Sequence, residues 1–298
     1  MVSASPAPLS VHVPVMVREV LRELELAAGL TVVDGTVGGG GHSRKILEAL
    51  GPSGRLLGLD RDPEMLDRAR GSLTFDNVRL VHGSYADLDA VLADIAWPPV
   101  DRILVDLGLS SDQLAADHRG FSFHAQGMLD LRFDTQQGEP AWQWLQRMSE
   151  TELAALFIDY GEEPHAKTIA AAIVRQRATQ PIRTATELAK LIEQVVKSPQ
   201  RDRHPATRVF QALRIAVNRE LEQLTKALDV TFPRCLVPGG LLAVITFHSL
   251  EDRLVKDAFR RSDVWENRTP KPIEPSPTEV RVNPRSRSAK LRIARRQP

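Results

Sequence analysis

The residues best suited to chemistry fall in one run, Asp34-Gly-Thr-Val-Gly-Gly-Gly-Gly-His-Ser43. An apolar stretch, Leu30 to Val33, precedes it, and a helical pattern, Arg44 to Leu50, follows. The order is strand, glycine turn, helix. Consecutive glycines let the main chain turn sharply and approach a ligand with no side chain in between. The helix behind them aims its free amides and the positive end of its dipole at that ligand. A second strand, Arg55 to Leu59, ends on Asp60, where an acid is placed to grip a ribose.

The glycine spacing narrows the ligand. A dinucleotide fingerprint reads Gly-x-Gly-x-x-Gly, but the window that opens at Gly38 closes on Ser43. No Lys-Ser/Thr pair follows the glycines, so this is not a phosphate-gripping P-loop. Asp34, ahead of the glycines, would repel a pyrophosphate and suits a cation. S-adenosylmethionine carries an ammonium, a sulfonium and a ribose. It fits Asp34 and Asp60, and nicotinamide binding is the alternative.

Further strand ends add candidates. A third strand, Val78 to His82, leads to Tyr85, which has two readings, adenine stacking and core packing. A fourth, Arg102 to Val105, ends in Asp106-Leu-Gly-Leu-Ser-Ser-Asp-Gln113. Strand-end loops of open α/β sheets are where ligands and chemistry sit. Asp106 is the first candidate for a proton acceptor at the reacting group, with Ser110, Ser111 and His248 behind it. His248 closes a strongly apolar fifth strand, Leu241 to Phe247. His12 either lines the site or is a surface histidine. No metal-ligand pattern is present, and the single cysteine, Cys235, excludes internal disulfides and reads as inert.

These positions require an α/β sheet domain, interrupted once. After Asp106 the alternation of strands and helices stops for roughly ninety residues. Capping boxes at Ser149-x-x-Glu152 and Thr184-x-x-Glu187 open two helices there, with Glu163 to Ala178 between them. The sequence therefore predicts a loose leader over 1–10, a sheet domain over 11–113 and 206–298, and a helical insertion over 114–205. One long helix is expected from His204, with an apolar stripe from Val209 to Leu228. Lys290 to Ala294 is expected to close the sheet as an edge strand with one basic face.

The 298 residues carry a net charge of +1, with 42% hydrophobic and 26% charged residues, a soluble globular profile. No apolar run is long enough to span a bilayer, and the first residues lack the pattern of a signal peptide. The expectation is a cytoplasmic protein with no membrane partner. An acidic partner must be met by local basic clusters. Arg175, Arg177, Arg183, Arg201, Arg203 and Arg208 lie on or beside the insertion, and arginine's fork of donors matches phosphate. RNA is favoured over a protein or small-molecule substrate.

Seven runs then identify a resemblance: Asp34 to Ser43, Asp106 to Gln113, Arg119 to Phe123, Tyr160 to Glu163, His204 to Arg208, Phe247 to Arg253 and Asn283 to Arg292. In that order they resemble the bacterial ribosomal small-subunit RNA cytosine-N4 methyltransferases of the MraW type. The resemblance implies a Rossmann-like class I S-adenosylmethionine-dependent methyltransferase sheet with an inserted helical domain that recognises RNA. It implies methylation of a decoding-centre cytidine on N4, the partner being 16S rRNA within the small ribosomal subunit. A homodimer is one option for the chain's own assembly. By position, Gly40, Gly41, His42, Asp60, Tyr85, Asp106 and Gln113 line the donor, and Asp34 and Gly38 join them from the turn itself. The RNA-facing candidates are Arg119, Arg132, Arg203, His204, Arg208, Arg285 and Arg287. Tyr85 stands where the family has phenylalanine. Pro164, His165 and Thr168 replace basic or aromatic residues, which weakens that helix as a phosphate grip.

Overall fold

A computed structural model describes residues 13–196 and 204–298. The leader, His12, Arg201 and Arg203 lie outside the described residues. The chain divides into two compact units, one formed by the residues up to Ser110 and from Leu221 onward, the other by Ser111–Glu220. The boundaries expected at 113/114 and 205/206 therefore differ from these. The second differs by a whole helix.

The first unit runs α1 (Val17–Glu23), β1 (Thr31–Asp34), α2 (Gly41–Leu50), β2 (Arg55–Asp60), α3 (Pro63–Ser72), β3 (Val78–His82), α4 (Leu88–Asp94) and β4 (Val100–Asp106). The second unit holds α5 (Ser111–Ala115), α6 (Ala141–Arg147), α7 (Glu150–Gly161), α8 (Ala166–Arg177), α9 (Ala185–Val195) and α10 (Thr207–Asn218). The chain continues through α11 (Glu220–Lys226), a π-helical turn, α12 (Phe232–Cys235), β5 (Leu236–Thr246), α13 (Ser249–Ala258), β6 (Trp265–Asn267), α14 (Pro277–Val282) and β7 (Lys290–Arg296).

The seven strands form one sheet in the order β3-β2-β1-β4-β5-β7-β6. The first five are parallel, while β7 runs antiparallel to both β5 and β6. Strand order reverses between β1 and β4, the position where open α/β sheets leave a crevice at the carboxyl ends of their strands. Both faces are covered, so the strands read as continuous apolar runs. Val33, Leu57, Ile103, Val105 and Val244 face one core with Phe232, Val255 and Phe259. Val32, Leu56, Leu104, Ala243 and Ile245 face the other with Val20, Ile46, Leu47 and Leu66. Each fully buried Val, Leu, Ile or Phe among them contributes roughly 1.5–3 kcal/mol.

Local chemistry sets the helices around the crevice. Proline opens α3, and the Asp62 carboxylate accepts from Glu64 N (3.1 Å) as its cap. The edge-strand expectation for the C-terminus is corrected: β7 lies inside the sheet, with β6 outside it. Its basic residues are occupied. Arg292 is 3% exposed and grips Asp252, and Arg295 meets Glu25 and Glu266.

In the second unit both expected capping boxes form, at Ser149/Glu152 and Thr184/Glu187. Helix α7 packs on α8 and α10. Gly161 closes α7 so near to α10 that a methyl group there would come within 2.7 Å of Arg208 O. The single helix expected from His204 to Leu228 is broken at Arg219, which takes a left-handed conformation (φ 51°). Arg214 and Glu220 close that turn with two charged hydrogen bonds, of 2.8 and 2.9 Å. Asn218 staples it to the loop below through Phe133 N (2.7 Å) and Leu131 O (2.6 Å).

Candidate functional site

Parallel register brings the carboxyl ends of β1, β2 and β4 to one edge, and with them Asp34, Asp60 and Asp106. The glycine turn is tied to the strands beside it, Gly35 N donating to Leu104 O and Val37 N to Leu59 O, both at 2.8 Å. Gly38 (φ 51°) and Gly40 (φ 88°) hold left-handed conformations that favour glycine. The two are not equivalent. A methyl group at Gly40 would strike Ser72 Oγ (2.7 Å) and Leu73 Cγ (2.9 Å), whereas one at Gly38 would meet only Thr36 O at 3.9 Å. Gly40 is therefore needed for packing against the end of α3, and Gly38 lies in open space.

Asp34 sits beneath the turn, 1% exposed. Its Oδ2 accepts from the Ser43 hydroxyl (2.6 Å) and its Oδ1 from Thr36 N (3.2 Å). Burial pushes its carboxyl up to about 6, against the pull of those two bonds. A carboxylate so covered braces the turn and the start of α2. Asp60 accepts from Gly38 N and from Asp62 N, both at 2.9 Å. Burial raises it to about 7. Each of its oxygens keeps a lone pair for a further donor, such as a ribose hydroxyl.

His42, in the first turn of α2, is 7% exposed. Its Nε2 lies 2.8 Å from Val15 O, an atom that can only accept, so Nε2 carries the proton. Burial lowers its pKa to about 4, leaving a neutral ring with a lone pair on Nδ1. That lone pair faces Asp106 Oδ2 at 3.6 Å. The main-chain N of Asp106 donates to Thr36 Oγ1 (2.7 Å), while its Oδ1 is buried with no hydrogen-bond partner. Burial, with Asp34 and Glu251 nearby, holds the Asp106 carboxyl well above the usual range. At 3.6 Å no further heavy atom fits between them, but a proton kept on Asp106 can lie toward Nδ1, and the orphaned Oδ1 is the oxygen left for a ligand's donor. A cationic, ribose-bearing methyl donor supplies the right groups, so the residues present fit S-adenosylmethionine.

The other candidates fall elsewhere. Tyr85 is 8% exposed in the core, tilted against Phe232 with ring centroids 6.1 Å apart, which is the packing reading of the two. Ser110 Oγ lies 3.4 Å from Met65 Sδ. Ser111 and the buried Gln113 lie on α5, in the second unit. His248 caps α13: its Nδ1 accepts from Glu251 N, and Glu251 accepts from His248 N in return. Its Nε2 is buried 3.0 Å from Glu251 Oε1, outside hydrogen-bond geometry. The contacts of His248 are those of a cap, and they do not support the catalytic expectation.

The RNA-facing set divides in the same way. Arg119 is 1% exposed and donates to Arg132 O (2.7 Å) and Phe133 O (2.8 Å), so it cannot reach a phosphate. Arg132 is held by Asp130 and by the carbonyls of Gln137 and Gly138. His204 stacks on Phe123 at 4.5 Å and meets Glu193 Oε1 at 2.8 Å. Arg208 is half-buried, and Arg285 and Arg287 are exposed. Sequence reasoning missed two supports of the site, Thr36 and the segment Val13–Met16. Thr36 lay inside the motif, but nothing in the sequence marked that segment.

Among known proteins, the MraW methylase family model matches residues 9–297. Three relatives bear the name ribosomal RNA small subunit methyltransferase H. One from Thermomicrobium roseum is 50% identical, over 97% of this chain and 95% of its own. One from Sorangium cellulosum is 46% identical, over 96% and 90%. One from Rhodopirellula baltica is 44% identical, over 99% and 94%. A solved rRNA methylase from Streptococcus thermophilus aligns over 95% of both chains with 12% identity and a TM-score of 0.42, too distant a likeness to add to the sequence match. On the full-length match alone, the chain belongs to the MraW methylase family.

Proposed function

We propose that this chain is an S-adenosylmethionine-dependent methyltransferase of small-subunit ribosomal RNA, and that it modifies the N4 amine of a decoding-centre cytidine in 16S rRNA. The observation that carries the donor half is the cluster of buried acids at the carboxyl edge. Asp60 stands beside the Gly38 amide, and Asp106 has an unpartnered Oδ1 beside neutral His42. The rRNA substrate rests on the relatives' names, and the N4 position on the resemblance of the motifs.

Bound at this edge, S-adenosylmethionine supplies an electrophilic methyl group on a sulfonium. In this reading Asp60 accepts from the ribose. Asp106 Oδ1, beside neutral His42, takes one of the donor's remaining N–H or O–H groups, and Asp34 keeps the turn shaped and the local potential negative. The cytosine N4 lone pair is spread into the ring, so the chain's main contribution is alignment in a water-poor edge. A new bond joins N4 to the methyl carbon as the sulfur–carbon bond breaks, and N4 then sheds one proton. That proton leaves readily to water, so no dedicated base is needed. The base must leave any stack to present its amine. Exposed Arg285 and Arg287 are the retained phosphate contacts of the first unit. The reaction belongs in the cytoplasm, on 16S rRNA within the small ribosomal subunit.

Labelled methyl transfer to small subunits, naked 16S rRNA and total protein, followed by nucleoside analysis, tests this reading. N4-methylcytidine from small subunits is the expected product. Label on protein, or on another nucleoside, contradicts it.

A further inference from the structure

Helix α14 has no buried side chain, so it adds nothing to either core. Its N-terminus reads Ser276-Pro-Thr-Glu279, the spacing of a capping box. The Ser276 hydroxyl does cap, accepting from Glu279 N at 3.2 Å. The reciprocal bond from the Glu279 carboxylate to its own helix is not made, in contrast to the boxes of α7, α9 and α13. Instead Glu279 Oε1 accepts from Met16 N at 2.6 Å, across 263 residues of sequence. One turn on, Asn283 Nδ2 donates to Val13 O at 3.2 Å. Two polar side chains thus hold one short strap, Val13–Met16.

The strap touches the donor turn twice. Pro14 lies against Gly41, where an added methyl group would come within 3.0 Å of its Cγ. Val15 O receives the proton of His42 Nε2 and so fixes the tautomer that turns the Nδ1 lone pair toward Asp106. The strap ends on Met16, fully buried in a left-handed conformation (φ 55°). A non-glycine residue held there needs its surroundings to hold it. The bond that its main-chain N donates to Glu279 is such a hold.

We propose that Glu279 and Asn283 are positioning residues for the methyl-donor site, acting through the strap on Gly41 and on the tautomer of His42. The inference rests on the reading of that edge as the donor site. Neither residue touches the reacting atoms; α14 itself buries nothing, but the strap it holds carries Val15 and Met16 into one core, so stability is measured beside affinity.

The test compares Glu279→Leu, which removes the acceptor, with Glu279→Gln, which keeps an oxygen for Met16 N. For each, S-adenosylmethionine affinity is measured by calorimetry, unfolding by heat, and the His42 tautomer by nitrogen NMR. Glu279→Leu is expected to weaken donor binding about tenfold, to let His42 populate both tautomers, and to move the melting temperature little. Glu279→Gln is expected to restore affinity and tautomer, and saturating donor to restore turnover in Glu279→Leu. Wild-type affinity and a single tautomer in Glu279→Leu overturn the proposal, as does a loss that Glu279→Gln fails to rescue. Failure of the wild-type protein to bind S-adenosylmethionine is a different result, and it overturns the donor reading itself.

Discussion

The carboxyl edge of the sheet and the loops of the helical unit both bury charge, but on opposite terms. At the edge, Asp34 and Asp60 are held by amides and a hydroxyl, Asp106 faces a neutral imidazole at 3.6 Å, and no lysine or arginine pairs with them among the described residues. Their carboxyls are all raised. In the helical unit Arg119 is spent on two main-chain carbonyls, Arg132 on Asp130, and Arg214 on Glu220. A buried charge with its partners in place is structural. A buried acid group with raised pKa values and an unpartnered oxygen is a site that a ligand completes.

That contrast predicts opposite signs for charge removal. The largest effect belongs to Arg119→Met, which leaves the carbonyls of Arg132 and Phe133 without donors. It should cost about 3 kcal/mol of stability, read in a denaturant melt. Asp106→Asn should instead weaken S-adenosylmethionine binding by about 2 kcal/mol in calorimetry while leaving the free protein as stable as before, or more so. If Asp106→Asn unfolds the protein, or Arg119→Met is neutral, the contrast fails.

Glycine substitutions sharpen the same edge. Gly40→Ala should destabilise the fold through Ser72 and Leu73, and so cannot report cleanly on the ligand. Gly38→Ala, with open space around it, should cost only about 1 kcal/mol of strain, and its loss of donor affinity should exceed its loss of stability. Equal effects at the two positions would show that the turn does not face the ligand.

Acid titration is a smaller test. Asp34 and Asp60 keep their protons in the folded state up to about 6 and about 7, whereas the unfolded chain releases them near 3.8. The folded state binds more protons between those values, so their contribution is full below pH 3.8 and is lost as pH rises to about 7. Stability of the ligand-free protein should therefore decline from these groups between about pH 4 and 7 and then level. The decline should shrink in Asp60→Asn. The smallest effect is expected at Tyr85→Phe, a change of under about 1 kcal/mol that keeps the ring against Phe232.

What could be read from the sequence follows the same division. Strand ends are legible because an apolar run followed by glycine or acid fixes both the direction of the chain and the edge it reaches. Asp34, Asp60 and Asp106 all arrived at that edge. What an acid does there was less legible. Asp34 is covered because Ser43 and the Thr36 amide reach it first, a matter of angles within one turn. Arg119 was not legible, because charge composition does not say which way a side chain points, and it folds inward onto carbonyls of its own loop. The break at Arg219 carries no glycine or proline, so the apolar stripe ran through it unmarked. β7 was visible as a strand, but its neighbours were not, since pairing of β6 with β7 is not local.

Those raised carboxyls meet a cationic, hydroxyl-bearing donor if the edge is the donor site. The most direct test is calorimetric titration of S-adenosylmethionine at about pH 6.5, in two buffers of different ionisation enthalpy. Binding that favours the ionised acids must expel their protons, so net proton release is predicted, and it should shrink in Asp60→Asn. Binding with no proton release, or with uptake, would contradict the assignment of this edge as the donor site.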